Sequence, residues 1–293
     1  MDKNKNTVNE KVINVVDVSF SYSKHTFIEN VNFDVKKGEI FGFLGPSGAG
    51  KSTLQKILTG LISDYKGSSS ILGVESKHHG NDFYENIGVD FEFPSLYEKL
   101  TARENLLYFS SLYKGNKRNI DELLEEVGLS NHADKKVKEY SKGMKSRLNF
   151  IKALVHDPQV LFLDEPTSGL DPNNARIMKD MIRKERDCGK TIIITTHNMQ
   201  DATELCDRVA FIVDGKVKAL DTPHNFIMSK GAVKVNYTYL KDGAECTKSS
   251  LLNNISEDKV LNDLISNNKL LSIHSTEPTL DDIFIELTGA LLC

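Results

Sequence analysis

No apolar run in this 293-residue sequence approaches the roughly 18 residues that a membrane-spanning helix needs. The opening stretch "MDKNKNTVNE" is polar and holds no apolar core. No secretory signal is therefore expected, and the chain is expected to work in the cytosol. Any membrane role must come through a partner. Cysteine is scarce: Cys188, Cys206, Cys246 and Cys293 are spaced for neither a zinc site nor a redox pair, and thiols are expected. Long basic runs are missing too. The balance of 37 basic against 41 acidic side chains gives a net charge of −4, so no sequence-independent grip on nucleic acid is expected. Neither an internal repeat nor a low-complexity tract occurs. His78 and His79 adjoin Gly80 without a Cys or acidic residue at ligand spacing, which favours a surface turn over a metal site.

What is present suits one large soluble domain and a small appendage. Residues 1–10 read as a loose tail. "VINVVDVSFSY" reads as a strand, and "FIENVNFDVKKGEIFGFLG" as two strands about a Lys-Lys-Gly turn. A helix follows with Leu54, Ile57, Leu58 and Leu61 on one face. Residues from about 92 to 156 read as a helical insertion. Thr101 and Glu104 form a capping-box pattern there, and Gly128 stops a second helix. A third helix opens in "YSKGMKSRLNF" and ends at Asp157-Pro158. Strand–helix alternation resumes with "VLFLD", a helix from Pro172 capped by Asp171, "TIIITTH", a helix near 198–206, and a hairpin about Asp214-Gly215. After Thr222-Pro223, "AVKVNYTYL" and "KLLSIHS" read as strands, while "DKVLNDLIS" and "TLDDIFIELTG" read as helices. The expected domains are thus 11–222 and a 223–293 extension.

"GPSGAGKST" lies between a strand and a helix and fits the phosphate-loop pattern G-x-x-x-x-G-K-[ST]. Glycines let backbone N–H groups converge on phosphate oxygens, and the helix adds its positive end. Lys51 supplies a charge for the β- and γ-phosphates, and Ser52 a hydroxyl for Mg²⁺. Chance alone gives this pattern in about one chain in a hundred, before strand and helix context is counted. Downstream, the apolar strand "VLFLD" delivers Asp164, suited to hold Mg²⁺ through water, and Glu165, suited to deprotonate an attacking water. His197 ends the next strand, in reach of a γ-phosphate. "YSKGMK" starts a helix capped by Ser141, with Gly143 keeping the backbone accessible. That is a second anion site, although the chain already holds a complete phosphate loop.

Taken together, Tyr22 in "FSYSK", then "GPSGAGKST", "YSKGMK", "LFLDEP", "SGLD" and "TTHN" resemble the ATP-binding subunit of ABC transporters, over roughly residues 12–222. The likeness is strongest to ATPases paired with ABC-2-type exporters, including drug exporters; "PTLDDIFIELTG" resembles the C-terminal extension of that subgroup. The resemblance implies an α/β P-loop NTPase fold of ABC type. This is a RecA-like core with an antiparallel β-subdomain and a helical insertion, followed by a small α/β extension. It implies ATP and Mg²⁺, a membrane-spanning permease partner, and a homodimer or heterodimer of ATPase subunits paired head to tail. By the same resemblance Gly45, Pro46, Ser47, Gly48, Ala49, Gly50, Lys51, Ser52 and Thr53 hold the phosphates. Ser52, Glu92 and Asp164 hold the metal, Glu165 and His197 act in hydrolysis, and Tyr22 stacks on adenine. Ser141 and Gly143 would face the ATP bound to the other subunit, and Asp171 would lie at that interface, which would explain the second anion site.

The sequence departs from the family pattern in places. The segment usually written L-S-G-G-Q has Tyr140, Lys142 and Met144 in place of Leu, the first Gly and Gln. Glu92 stands where the family has Gln, which predicts a retained metal-coupling role with altered metal dependence. The extension is not matched residue by residue. Two other readings are a soluble ABC-type ATPase acting on the ribosome or DNA, and a nucleotide-gated module without turnover. The first usually carries two ATPase units or coiled-coil arms; the second often lacks the base that Glu165 supplies.

Overall fold

Val and Ile side chains set the first strand. Ile13, Val15 and Val18 are buried along β1 (Lys11–Phe20), which pairs antiparallel with β2 (Ile28–Lys36). The turn at Lys37-Gly38 then carries the chain into a different sheet. There β3 (Ile40–Leu44) is buried at every residue, as the middle of a sheet covered on both faces demands. The computed structural model describes residues 10–22, 26–230, 234–241 and 243–289. The expected tail, apart from Glu10, and Cys293 lie outside them. The described residues fall into two compact units, divided between Leu220 and Asp221.

In the first unit the phosphate loop leads into α1 (Lys51–Leu58). β4 (Lys66–Ile71) and β5 (Val74–Glu75) complete an antiparallel sheet of order β2-β1-β4-β5. His79 stacks on Phe83 of the short α2 (Asn81–Tyr84) with centroids 4.9 Å apart, so its ring is used in packing. β6 (Ile87–Asp90) follows.

The insertion holds α3 (Ala102–Ser111), started by the Thr101–Glu104 capping box, and α4 (Ile120–Glu126), which stops before Gly128 at φ +65°. Next comes α5 (Lys142–Lys152), capped by Ser141. It ends before Asp157-Pro158, because residues 153–156 close as a turn through bonds such as Leu154 N–H to the Ile151 carbonyl at 3.0 Å. β7 (Val160–Asp164), α6 (Pro172–Asp187), β8 (Thr191–Thr196), α7 (Met199–Leu205), β9 (Arg208–Val213) and β10 (Lys216–Asp221) finish this unit's elements. The six-stranded sheet runs β10-β9-β3-β8-β7-β6, with β9-β3-β8-β7-β6 parallel.

The second unit contains α8 (Pro223–Lys230), β11 (Lys234–Lys241), β12 (Ala244–Leu251), α9 (Lys259–Ser266), β13 (Leu270–Thr276) and α10 (Leu280–Thr288). Its sheet runs β12-β11-β13. Tyr237 and Tyr239 cluster with Leu261 and Leu264 of α9. Of the described cysteines, Cys188, Cys206 and Cys246 are free thiols, and Cys206 is buried.

Candidate functional site

Strands β3, β8 and β7 are neighbours in the parallel sheet. Their ends are in register: Leu44 lies beside Thr196, and Thr195 beside Asp164. Residues just beyond these ends therefore converge outside the carboxyl edge of the sheet, where ligands of open α/β sheets bind.

Past β3 the chain wraps through Gly45–Ala49 to Gly50, the N-cap of α1, at φ 109°. Glycine adopts that backbone without strain. No side chain caps the helix, so its first N–H groups are available to an anion. Lys51 is buried, and its Nζ donates to the carbonyls of Gly45 at 2.6 Å and Pro46 at 3.1 Å. Burial pulls its pKa below the ordinary lysine value, while Glu165, Asp164 and Glu92 pull it upward.

The cavity in front of the loop measures about 230 Å³. Ser47, Gly48, Gly50, Lys51, Ser52 and Thr53 form one wall; Glu92, Asp164, Glu165 and His197 form another. Ser52 Oγ donates to Asp164 at 3.4 Å, and Thr195 Oγ1 donates to the other Asp164 oxygen. Glu165 sits at φ 51°, a left-handed backbone that costs a non-glycine residue energy and recurs at functional sites. Its N–H bonds the Thr195 carbonyl at 2.9 Å. Thr196 Oγ1 donates to Oε2 at 3.1 Å, and His197 Nδ1 lies 2.8 Å from Oε1. A carboxylate only accepts, so Nδ1 carries the hydrogen.

Tyr22 lies beside this cavity, 60% exposed, with its hydroxyl 3.0 Å from Thr53 Oγ1 and its ring edge-on to Phe20 and Phe27. Phe27 itself lines the cavity, a residue that sequence reasoning missed. Ser141, Gly143 and Asp171 do not line it. Ser141 Oγ accepts from Met144 N–H at 3.3 Å and caps α5. Asp171 caps α6 through the N–H groups of Asn173 and Asn174 at 3.1 and 3.0 Å. These hydrogen bonds, led by that of the Asn174 side chain, hold its carboxyl below the usual range. The phosphate loop and the two capped termini are thus separate features of one subunit.

The family pattern described as ABC transporter matches residues 28–168. A fluoroquinolones export ATP-binding protein of Mycobacterium tuberculosis is 46% identical over 288 residues, covering 97% of this chain and 96% of that protein. The Nod factor export ATP-binding protein I of Rhizobium etli is 34% identical over 94% of this chain and 93% of its own length. This chain belongs to the ATP-binding subunits of ABC transporters. Among solved structures, a dimeric post-hydrolysis ATP-binding cassette bound to ADP and Pi superposes with a TM-score of 0.64 at 25% identity, covering 72% of this chain and 98% of that one. The ABC subunit is accordingly an ATP-binding ATPase of mixed α/β fold. Among its described residues no helix is long and apolar enough to cross a membrane.

The structure of this ABC subunit also reveals a buried polar bridge that sequence reasoning missed. Asp90, at the end of β6, accepts a hydrogen bond from the Asn149 amide of α5. Lys152 Nζ donates to Asn149 Oδ1 at 2.7 Å and to Ser95 Oγ at 2.9 Å. The bridge ties the strand leading to Glu92 to the helix that Ser141 caps. Burial pushes the Asp90 carboxyl up to about 7, against the pull of Lys152. Tyr140, which replaces the family's Leu, is buried and donates its hydroxyl to the His132 carbonyl at 2.7 Å.

Proposed function

We propose that this chain is the ATP-hydrolysing subunit of a membrane exporter, in which two ATPase subunits close head to tail on ATP. The observation that carries the reading is that the phosphate loop and the Ser141 helix start are separate features of one subunit. The cavity presents Lys51, Ser52, Glu165 and His197, whereas Ser141 and Gly143, at the start of α5, do not line it. We read residues 11–222 as the ATPase domain, about 92–156 as its helical subdomain, and 223–293 as a separate extension. The chain would sit on the cytoplasmic side of the membrane through a permease. In support, α3 leaves Leu107 and Tyr108 exposed, and Tyr108 packs edge-on to exposed Tyr97 with centroids 5.1 Å apart. The names of the relatives point to export.

In hydrolysis the phosphate-loop N–H groups and Lys51 hold the β- and γ-phosphates. Glu165 accepts a proton from water as the water oxygen bonds to the γ-phosphorus and the bond to the ADP oxygen breaks. His197 keeps the Glu165 carboxylate aimed through Nδ1–H; to donate to the γ-phosphate from Nε2 as well, it would act as the imidazolium, with both ring nitrogens protonated. Tyr22, with Phe27 beside it, offers an aromatic face for adenine. Among the described residues no three His, Cys, Asp or Glu side chains form a cage for a metal. The all-oxygen set of the Ser52 hydroxyl with Asp164 and Glu92 fits Mg²⁺, which keeps water and phosphate ligands. Bound there, Mg²⁺ would neutralise developing phosphate charge.

Two measurements test this. In a Glu165→Gln background, Ser47→Cys and Ser141→Cys chains should form ATP-dependent crosslinks between copies, and wild-type activity per chain should fall on dilution. A monomer turning over at an undiminished rate at every dilution would overturn the reading. Replacing Glu92 by Gln should keep ATPase activity within about tenfold while shifting the Mg²⁺ concentration for half-maximal rate; complete loss would remove Glu92 from a purely ligating role.

A further inference from the structure

The N-termini of α5 and α6 interlock within one subunit. Gly143, in the first turn of α5, is buried. A Cβ built there would lie 2.7 Å from Asn174 Cγ, 2.8 Å from Nδ2 and 3.0 Å from Oδ1. The amide of Asn174 thus occupies the space of the missing side chain. That amide is held in turn: Nδ2 donates to Asp171 Oδ2 at 2.5 Å, and the Asn174 backbone N–H donates to Asp171 Oδ1 at 3.0 Å. A reciprocal contact runs the other way. Lys142 Nζ crosses Gly169, where a Cβ would meet it at 2.0 Å. The Gly169 turn leads directly back to the acid, since Ser168 N–H bonds the Glu165 carbonyl at 3.0 Å.

We propose that Asn174 is a positioning residue for hydrolysis, seating the Ser141 helix terminus against the 168–171 turn of its own subunit through the space that Gly143 leaves open. The proposal rests on the divided-site reading above. In that frame the Ser141 terminus meets the partner's γ-phosphate, and Asn174 passes its position through Asp171 and the turn to Glu165. The ATP-facing side of α5 and the water-activating acid of the same subunit then move as one body. In this frame a side chain at 143 would first meet the subunit's own asparagine. The amide is held to Asp171 through its own Nδ2 and its backbone N–H, so a shift of the α5 terminus reaches the turn through that pair.

The test is a double-mutant cycle on the full chain, reading kcat, KM for ATP and thermal midpoint. Asn174→Ala should lower kcat about tenfold while KM for ATP stays within about twofold, the signature of an interaction made in the transition state. Gly143→Ala should lower kcat by more than about thirtyfold, since its methyl displaces Asn174. The Gly143→Ala/Asn174→Ala double variant should return to the level of Asn174→Ala alone, a coupling expected of residues in contact. A double variant as inactive as Gly143→Ala would overturn the proposal, placing the conflict with nucleotide across the interface and leaving the divided site standing. Loss through KM alone, or a fall in kcat matched by a collapse of the thermal midpoint in Asn174→Ala, would also overturn it. Failure of the divided site shows separately, in the dilution experiment.

Discussion

Glu165→Gln will bind ATP and almost cease to turn it over. The replacement keeps the shape of the side chain, so the left-handed backbone at φ 51° and the Thr196 hydroxyl contact at 3.1 Å can persist. What it removes is the ability to take a proton from water, and general-base catalysis is worth about 10²–10⁴ in rate. The nucleotide-bound dimer then cannot reopen through hydrolysis and should accumulate, visible as an ATP-dependent shift to twice the mass on size exclusion. His197 lies 2.8 Å from the same carboxylate. Its replacement by Ala leaves the base in place and should cost less than the Glu165 change. Normal turnover by Glu165→Gln would strip Glu165 of its assigned role.

Lys152→Met will destabilise the fold by about 3 kcal/mol, the lower end of the cost of leaving a buried charge without its partner. Asp90 is 6% exposed and Lys152 8% exposed, with Asn149 joining them. Asp90 titrates near 3.8 when unperturbed, and burial raises it to about 7 in the fold. A carboxyl raised in this way stabilises the folded state below its unfolded pKa and loses that contribution as pH rises through the folded value. Without Lys152 to favour the anion, the window widens upward. The deficit in urea midpoint should therefore be small near pH 5 and largest near pH 8. Converting all three members, Asp90→Leu and Lys152→Met with Asn149→Leu, should recover more of the loss than the two charge changes alone, which leave the buried Asn149 amide short of partners. A deficit that grows toward acid pH would show that the bridge carries no such charge.

Much of the site was legible because its chemistry is local in sequence. The phosphate loop, the acids closing "VLFLDE" and the histidine after "TIIITT" each follow a short β-branched or apolar run, the signature of a buried strand of a parallel sheet. The Thr101–Glu104 box and the Asp171 cap were legible for the same reason, as their partners lie within one helical turn. Other elements carried no such signal. β4, "KGSSSI", and β12, "AECTKSSL", lack apolar alternation and are strands because of their neighbours. β4 pairs with β1, and its serines bond Glu75, Ser69 N–H at 3.0 Å among them. β12 follows the register of β11 from Lys234 opposite Leu251 to Lys241 opposite Ala244. The Asp90–Asn149–Lys152 bridge joins residues 59 apart in sequence, and the Asn174–Gly143 contact likewise spans separate helices. Pairing of that range is decided by packing, which no local pattern reports.

The order of the six-stranded sheet also bears on how the protein comes to exist in the cell. Ser52 and Asp164 meet across 112 residues, and β8, the strand between their two strands, is made after both. A ribosome must therefore release about two-thirds of the chain before the Ser52–Asp164 pairing can settle in the finished sheet. Pieces that end before β7 lack Asp164 and Glu165, whereas the finished sheet is stabilised by ATP through mass action. Ligand thus acts as a late checkpoint on completed folding rather than as a template for it.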